Sequence, residues 1–212
     1  MRRMERGFTL FELSMVLAVV GLITGGVIAG QSMLKNAQNL AVVSELDRYR
    51  NAANQFREQY RAWPGDFAGA TALWGAAGGT GTGSACFTVS TTTGATCNGN
   101  GDEIIKTAAG AISSDTWYYG ERFHAWKHLV DAKLIDGRFT GVAGSTNNYA
   151  HIAGTNAPKS SLKGYSYTVI HADGSGGRYI RDANDYEYVG NALMMQDDAG
   201  GTYITTNLAH FV

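Results

Sequence analysis

The chain has 212 residues, enough for one membrane-anchored globular domain. Its formal charge is −1, and loss of Arg2, Arg3, Glu5 and Arg6 leaves it mildly acidic, which argues against the concentrated basic face that nucleic acid requires. Glycine is abundant (28 residues) and proline scarce (2), a balance that predicts a loop-rich head on a long uninterrupted helix.

Residues 7–30 are predominantly apolar with Glu12 as their only charge, and a stretch of that length spans a bilayer, which takes roughly 20 residues. A charge at the centre of such a helix costs roughly 2.5–3.5 kcal/mol on insertion scales, so Glu12 near its start asks for a partner. A secretory signal is cut after its apolar segment, at small residues. Here the basic leader precedes the apolar segment, and the junction implied by the resemblance below, Gly7-Phe8, lies before it, so the apolar helix would outlive processing. Arg2, Arg3 and Arg6 lie on one side of the span. Lys35 and then Glu45 and Asp47 follow on the other, which places the N-terminus in the cytoplasm and the rest outside.

The short basic leader, the Gly7-Phe8 junction, and Thr9, Leu10 and Glu12 at the head of an apolar run resemble the N-terminus of a type IV pilin or a type II secretion pseudopilin. The resemblance implies that a prepilin peptidase cuts between Gly7 and Phe8, that the Phe8 amine is methylated, and that the apolar helix forms a filament core. It implies a pilin-like α/β roll, other pilin or pseudopilin subunits as partners in a homo- or hetero-polymer, an inner-membrane assembly platform, and a place in the bacterial inner membrane before the filament. Glu12 has two readings: a carboxyl at the interface with no role, or the counter-charge of a neighbouring subunit's Phe8 amine, which would fix axial register.

Beyond Gly30 the pattern turns amphipathic. Val42, Leu46, Tyr49, Ala53, Phe56 and Tyr60 alternate spacings of four and three, the seam of a helix face. Residues 8–60 are read as one helix of about 80 Å at 1.5 Å per residue. Trp63-Pro64-Gly65-Asp66 ends it. The expected organisation is a leader over 1–7, a helix over 8–62 (8–30 in membrane or filament core, 31–62 amphipathic) and a head over 63–212. The Pro-Gly-Asp turn, with Gly99-Asn100-Gly101-Asp102 further on, also resembles a group of secreted bacterial prepilin-like proteins.

Residues 75–101 are rich in Gly, Ser and Thr and read as loop. Cys86 and Cys97 lie within it, and outside the cytoplasm they are expected to pair. Asn98, Asn100 and Asp102 alternate like the opening of a calcium loop, the one candidate cofactor. The rest of an EF-hand is missing: Glu103 stands where glycine is needed and Ala109 where the bidentate carboxylate belongs. Asp197 and Asp198 are the remote candidates to complete it.

Residues 114–136 form the second helix candidate, with Tyr119, Phe123, Trp126, Val130 and Leu134 at helical spacing and Gly137 as a stop. His124 and His128 share the spacing of a zinc-protease pair, but Ala125 replaces the glutamate such an enzyme needs, and the aromatics read as packing. Residues 141–163 read as loop. Residues 165–171 alternate as a strand, with a return strand at 178–181 through the glycines of 174–177. Residues 186–189 and 202–206 are further strand candidates, and 191–196 a short helix. The fold class is α+β: a long N-terminal transmembrane and amphipathic helix on a small antiparallel sheet. No nucleophile–base pair, phosphate loop or complete metal set is present, so a structural filament subunit is favoured over an enzyme. A minor tip subunit acting as an adhesin is the alternative.

Overall fold

The computed structural model describes residues 7–77, 86, 95–105, 120–142, 151–172, 180–181, 187–188, 190–197 and 203–210. The leader residues 1–6, residues 114–119 of the second helix candidate, the connection 174–177, Ala109 and Asp198 lie outside them. The order of elements is α1 (Leu10–Tyr60), α2 (Ala70–Trp74), α3 (Glu121–Asp131), β1 (Tyr165–Ala172), β2 (Ile180–Arg181), β3 (Glu187–Tyr188), β4 (Gly190–Asp197) and β5 (Tyr203–His210). The chain forms two compact units, Met1–Ala41 and Val42–Val212.

In the first unit the apolar side chains of α1 are exposed, from Val19 at 53% to Leu10 at 87%. This segment is long and apolar enough to cross a membrane. Apolar surface so extensive calls for lipid or other helices as cover.

In the second unit the seam is buried as its periodicity predicts. Leu46, Tyr49, Ala53 and Phe56 enter the core together with Ala52, and Val42 and Tyr60 pack at its margins. The Trp126 ring of α3 meets Tyr49 edge-on at 5.3 Å, and Tyr167 of β1 lies 5.1 Å from Tyr49. Glu45 draws the turn before β1 to α1: it accepts the Ser161 N–H at 3.1 Å and the Tyr167 hydroxyl at 2.6 Å. Helix α1 ends at Tyr60, where Arg61 turns left-handed (φ 56°) and donates its N–H back to the Arg57 carbonyl. The Arg57 guanidinium lies 4.4 Å above the Trp63 ring, a cation–π contact across the helix end.

The sheet corrects two sequence expectations. Strand β1 does not pair with a return strand at 178–181. It pairs antiparallel with β4, in the order β1-β4-β5, while β2 and β3 form a separate two-stranded ribbon. Residues 191–196 are not a helix but the middle of the central strand. Ala192, Leu193, Met194 and Met195 favour a helix intrinsically, yet pairing on both edges overrides that preference. The register sets Tyr167 opposite Met195 and Val169 opposite Leu193, and these four side chains form the core face.

Helix α3 also differs at its end, stopping at Asp131 and not near Gly137. Lys133 takes the left-handed position (φ 60°) usually given to glycine. The Leu134 N–H reaches the Leu129 carbonyl and the Lys133 N–H the Val130 carbonyl, the paired bonds of a Schellman cap. Leu129 lies in the core, and Leu134, partly buried, packs against that core. The short helix α2 has no counterpart among the sequence expectations.

Candidate functional site

Two places carry the candidate functional residues. In the first unit, Gly7 and Phe8 precede the helix, with Phe8 86% exposed. Thr9 is the cap residue. Its hydroxyl accepts the Glu12 N–H at 3.2 Å, and a Glu12 carboxylate oxygen accepts the Thr9 N–H at 2.9 Å and the Thr9 hydroxyl at 2.9 Å. This is a capping box, Thr-x-x-Glu, in which each residue satisfies an orphan donor of the other. It starts the helix two residues after the candidate junction and gives Glu12 a partner within its own chain. The Thr-x-x-Glu spacing of Thr9 and Glu12 is the sequence signal for this cap.

In the second unit the two short turns that the sequence separates by thirty-odd residues lie against each other. Asp66 is buried (1% exposed). Its carboxylate accepts three consecutive backbone N–H groups, from Gly101 (2.7 Å), Asp102 (3.2 Å) and Glu103 (2.8 Å). The Gly101 N–H also donates to the Asp66 carbonyl at 3.0 Å, and the Gly99 N–H to the Phe67 carbonyl at 3.1 Å. Burial pushes the Asp66 carboxyl above its usual range, against the pull of the N–H groups from Glu103 and Gly101. Glu121, the first residue of α3, accepts the Asn100 N–H at 3.2 Å.

His128 closes the arrangement. The Gly65 N–H donates to Nδ1 at 2.9 Å, so the ring proton sits on Nε2, which donates to the Cys97 carbonyl at 2.9 Å. Both ring nitrogens are occupied, so His128 is a structural pin and not half of a metal pair. Burial lowers it to about 4, keeping it neutral. Asn191 of β4 ties the same loop to the sheet, accepting the Ile105 N–H and donating to the Glu103 carbonyl.

The calcium candidates serve these turns. Asn98 accepts the Thr71 N–H at 2.8 Å, capping α2, whose own cap residue is Gly69. The Asn100 side chain accepts the Asp102 N–H and gives its amide to the Asp102 carboxylate at 2.8 Å, and Asp102 accepts the Ile104 N–H. Asn100 and Asp102 thus bond to each other and to the backbone two residues on, as Asx-turn residues do. Asp197 takes its place at the end of β4, opposite Tyr165.

Cys86 and Cys97 form a disulfide with Cα atoms 5.9 Å apart, packed with Ala77 and Ala95. Their sequence separation of 11 gives a closed loop worth about 3 kcal/mol in the chain-entropy model. The Cys86→Ser/Cys97→Ser double variant is expected to lose about that much in urea denaturation. A loss below about 1 kcal/mol would show that the loop is held by other contacts.

A capped apolar helix joined to a small antiparallel sheet defines an α+β, pilin-like fold. The prokaryotic N-terminal methylation motif matches residues 2–28, the signature of type IV pilins and pseudopilins. The motif supports a pilin-like substrate of prepilin peptidase, the kind of subunit that is assembled into filaments. With the apolar helix it also points to membrane anchoring. No curated protein and no solved structure matches the chain.

Proposed function

We propose that the chain is a structural subunit of a type IV pilus-like filament, either a pilus or a type II secretion pseudopilus. Prepilin peptidase removes residues 1–7 at the cytoplasmic face and the Phe8 amine is methylated. The subunit then waits in the inner membrane with its head, residues 63–212, outside. An assembly platform in that membrane passes it into the filament, where α1 exchanges lipid for the helices of other subunits. The observation that carries this reading is the methylation motif at residues 2–28, seated on a helix whose apolar side chains are exposed.

Glu12 supplies the register by pairing with a neighbour's Phe8 amine. Its capping role must be separated from that pairing. Glu12→Gln keeps a capping residue at the third helical position but removes the charge. Thr9→Ala removes the cap, worth about 1 kcal/mol, and keeps the charge. Glu12→Gln is expected to be inserted and processed normally yet to fall at least tenfold in sheared filaments, while Thr9→Ala enters them near the native level. Equal incorporation of Glu12→Gln and the native chain would remove the register role.

A further inference from the structure

The end of α1 carries a groove that neither the processing site nor the interlocked turns use. It is open, holds about 480 Å³, and is lined by Asn54, Arg57, Glu58 and Arg61 along one face and by Glu103 from the loop that Asp66 holds. Its four charged residues are exposed, and among the described residues none of them forms an ion pair. We propose that, in the filament on which this inference rests, the groove takes the exposed turn at 133–138 of a second copy of the chain. Asp136 is then set against Arg57 and Arg61, and Lys133 and Arg138 against Glu58 and Glu103.

Backbone conformation singles out the same two surfaces. Three described residues other than glycine have positive φ: Arg61 (56°), Glu103 (65°) and Lys133 (60°). Glycine or asparagine takes this left-handed position at little cost, and a long side chain does not. Two of the three line the groove, the third opens the turn, and all three are charged. Strain of this kind persists only where the surroundings impose it, and it gathers at active sites and ligand clamps. Here the Asp66 carboxylate holds the Glu103 N–H, the Asn191 amide holds the Glu103 carbonyl, the Arg57 carbonyl holds the Arg61 N–H, and the Trp63 ring carries the Arg57 guanidinium. At the turn the Val130 carbonyl holds the Lys133 N–H. Leu134 and Ile135 fix the turn to the core, while Lys133, Asp136 and Arg138 stay exposed.

Charge and symmetry choose the occupant. The groove presents two arginines and two glutamates that leave each other unpaired. A simple anion would meet Glu58 and Glu103, and a simple cation would meet Arg57 and Arg61, so a fitting partner carries both signs. The turn does, with a cation at Lys133, an anion at Asp136 and a cation at Arg138, none of them ion-paired among the described residues. Groove and turn are different patches of one unit, so their contact is heterologous. Repeated from copy to copy, a heterologous contact that does not close builds an open helical array, which is the symmetry of a filament. Exposed pairs of this kind set register and partner choice more than affinity, so reversing the charges tells more than removing them.

The test uses the full chain in its own cells, with sheared filaments and membranes quantified by mass spectrometry. Glu58→Arg/Glu103→Arg makes the groove wholly cationic, and Lys133→Glu/Arg138→Glu makes the turn wholly anionic. Each reversed chain alone is expected to be processed to Phe8 yet to fall at least tenfold in the sheared material. Produced together, the two are expected to return in near-equal amounts. The anionic turn of one fits the cationic groove of the other, and the remaining groove and turn are native. A misfolded chain gains nothing from a second defective chain, so the rescue also guards against unfolding. Native-level incorporation of either reversed chain alone overturns the proposal. So does failure of the pair to return, the result expected if the groove serves a partner other than a second copy. Absence of the native chain from the sheared material would instead strike the filament reading, and this contact with it.

Discussion

Gly65→Ala is expected to lower the stability of the second unit by about 2–5 kcal/mol. Gly65 sits at φ +94°, where an L side chain costs roughly 1–2 kcal/mol. Its new Cβ would also stand 2.3 Å from the Glu121 carbonyl oxygen, a backbone atom of α3 that cannot swing aside. Overpacking of this kind adds roughly 1–3 kcal/mol. For a domain of this size the sum is a fall of roughly 5–20 °C in Tm. Gly99→Ala acts by sterics alone, its Cβ meeting the Asp66 backbone at 2.2 Å. Gly101→Ala is the control: φ is +77°, but the nearest atom is the Ala68 methyl at 3.7 Å, so only the conformational cost of about 1 kcal/mol remains. Thermal unfolding of the three variants separates the contributions. If all three fall by the same small amount, the close approach of the two turns is not what holds them.

Acid is expected to unfold the second unit well above the range in which carboxylates titrate. His124, His128 and His151 are buried, and burial first of all lowers them to about 3, 4 and 3, against an ordinary value of 6.5. Neighbouring cations add to this, Lys127 beside His128 and Arg122 beside His151. The unfolded chain therefore takes up protons below pH 6.5 that the folded chain refuses. For groups lowered on folding, the stabilisation is complete above the unfolded value and is lost as pH falls towards the folded one. Between pH 7 and pH 5 the loss is about 2 kcal/mol for each of the three histidines, or ~6 kcal/mol together, comparable to the whole stability of many domains. Asp66 and Asp131 act in the opposite sense, because burial raises both, but their window begins near the ordinary carboxylate value. Urea denaturation at pH 7.5, 6 and 5 should show the midpoint falling steeply. His151→Phe, which fills the space against the Phe123 ring 4.9 Å away without titrating, should flatten the slope by about a third. A midpoint constant from pH 7.5 to pH 5 would mean that the histidines take up protons in the folded state.

What could be read from the sequence followed from periodicity and what could not followed from contact. The seam from Leu46 to Phe56 was legible because a helix repeats its buried face every three to four residues and the core obeys that repeat. Strand β1 was legible from its alternation. Strand β4 was not, because Ala-Leu-Met-Met carries the local preference of a helix and only the partners on either side make it a strand. The two glycine-containing turns were each seen, but nothing local says that Gly99 must be bare for the Asp66 backbone to lie against it. Asp66 and His128 looked like an ordinary turn residue and an ordinary helix residue. Their roles depend on backbone N–H groups and a carbonyl supplied from elsewhere in the chain. At the candidate junction the reverse held, since the capping box lies within four residues and needs no distant partner.

The most direct measurement of the filament reading is mass spectrometry of the protein's N-terminus, in filaments sheared from cells and in the membrane fraction of the same cells. The account predicts a chain that begins at Phe8 with a methylated amine in the sheared material, and its amount there distinguishes a major from a minor subunit. A chain that keeps Met1 in every fraction would contradict it, leaving α1 as a membrane tether for the head.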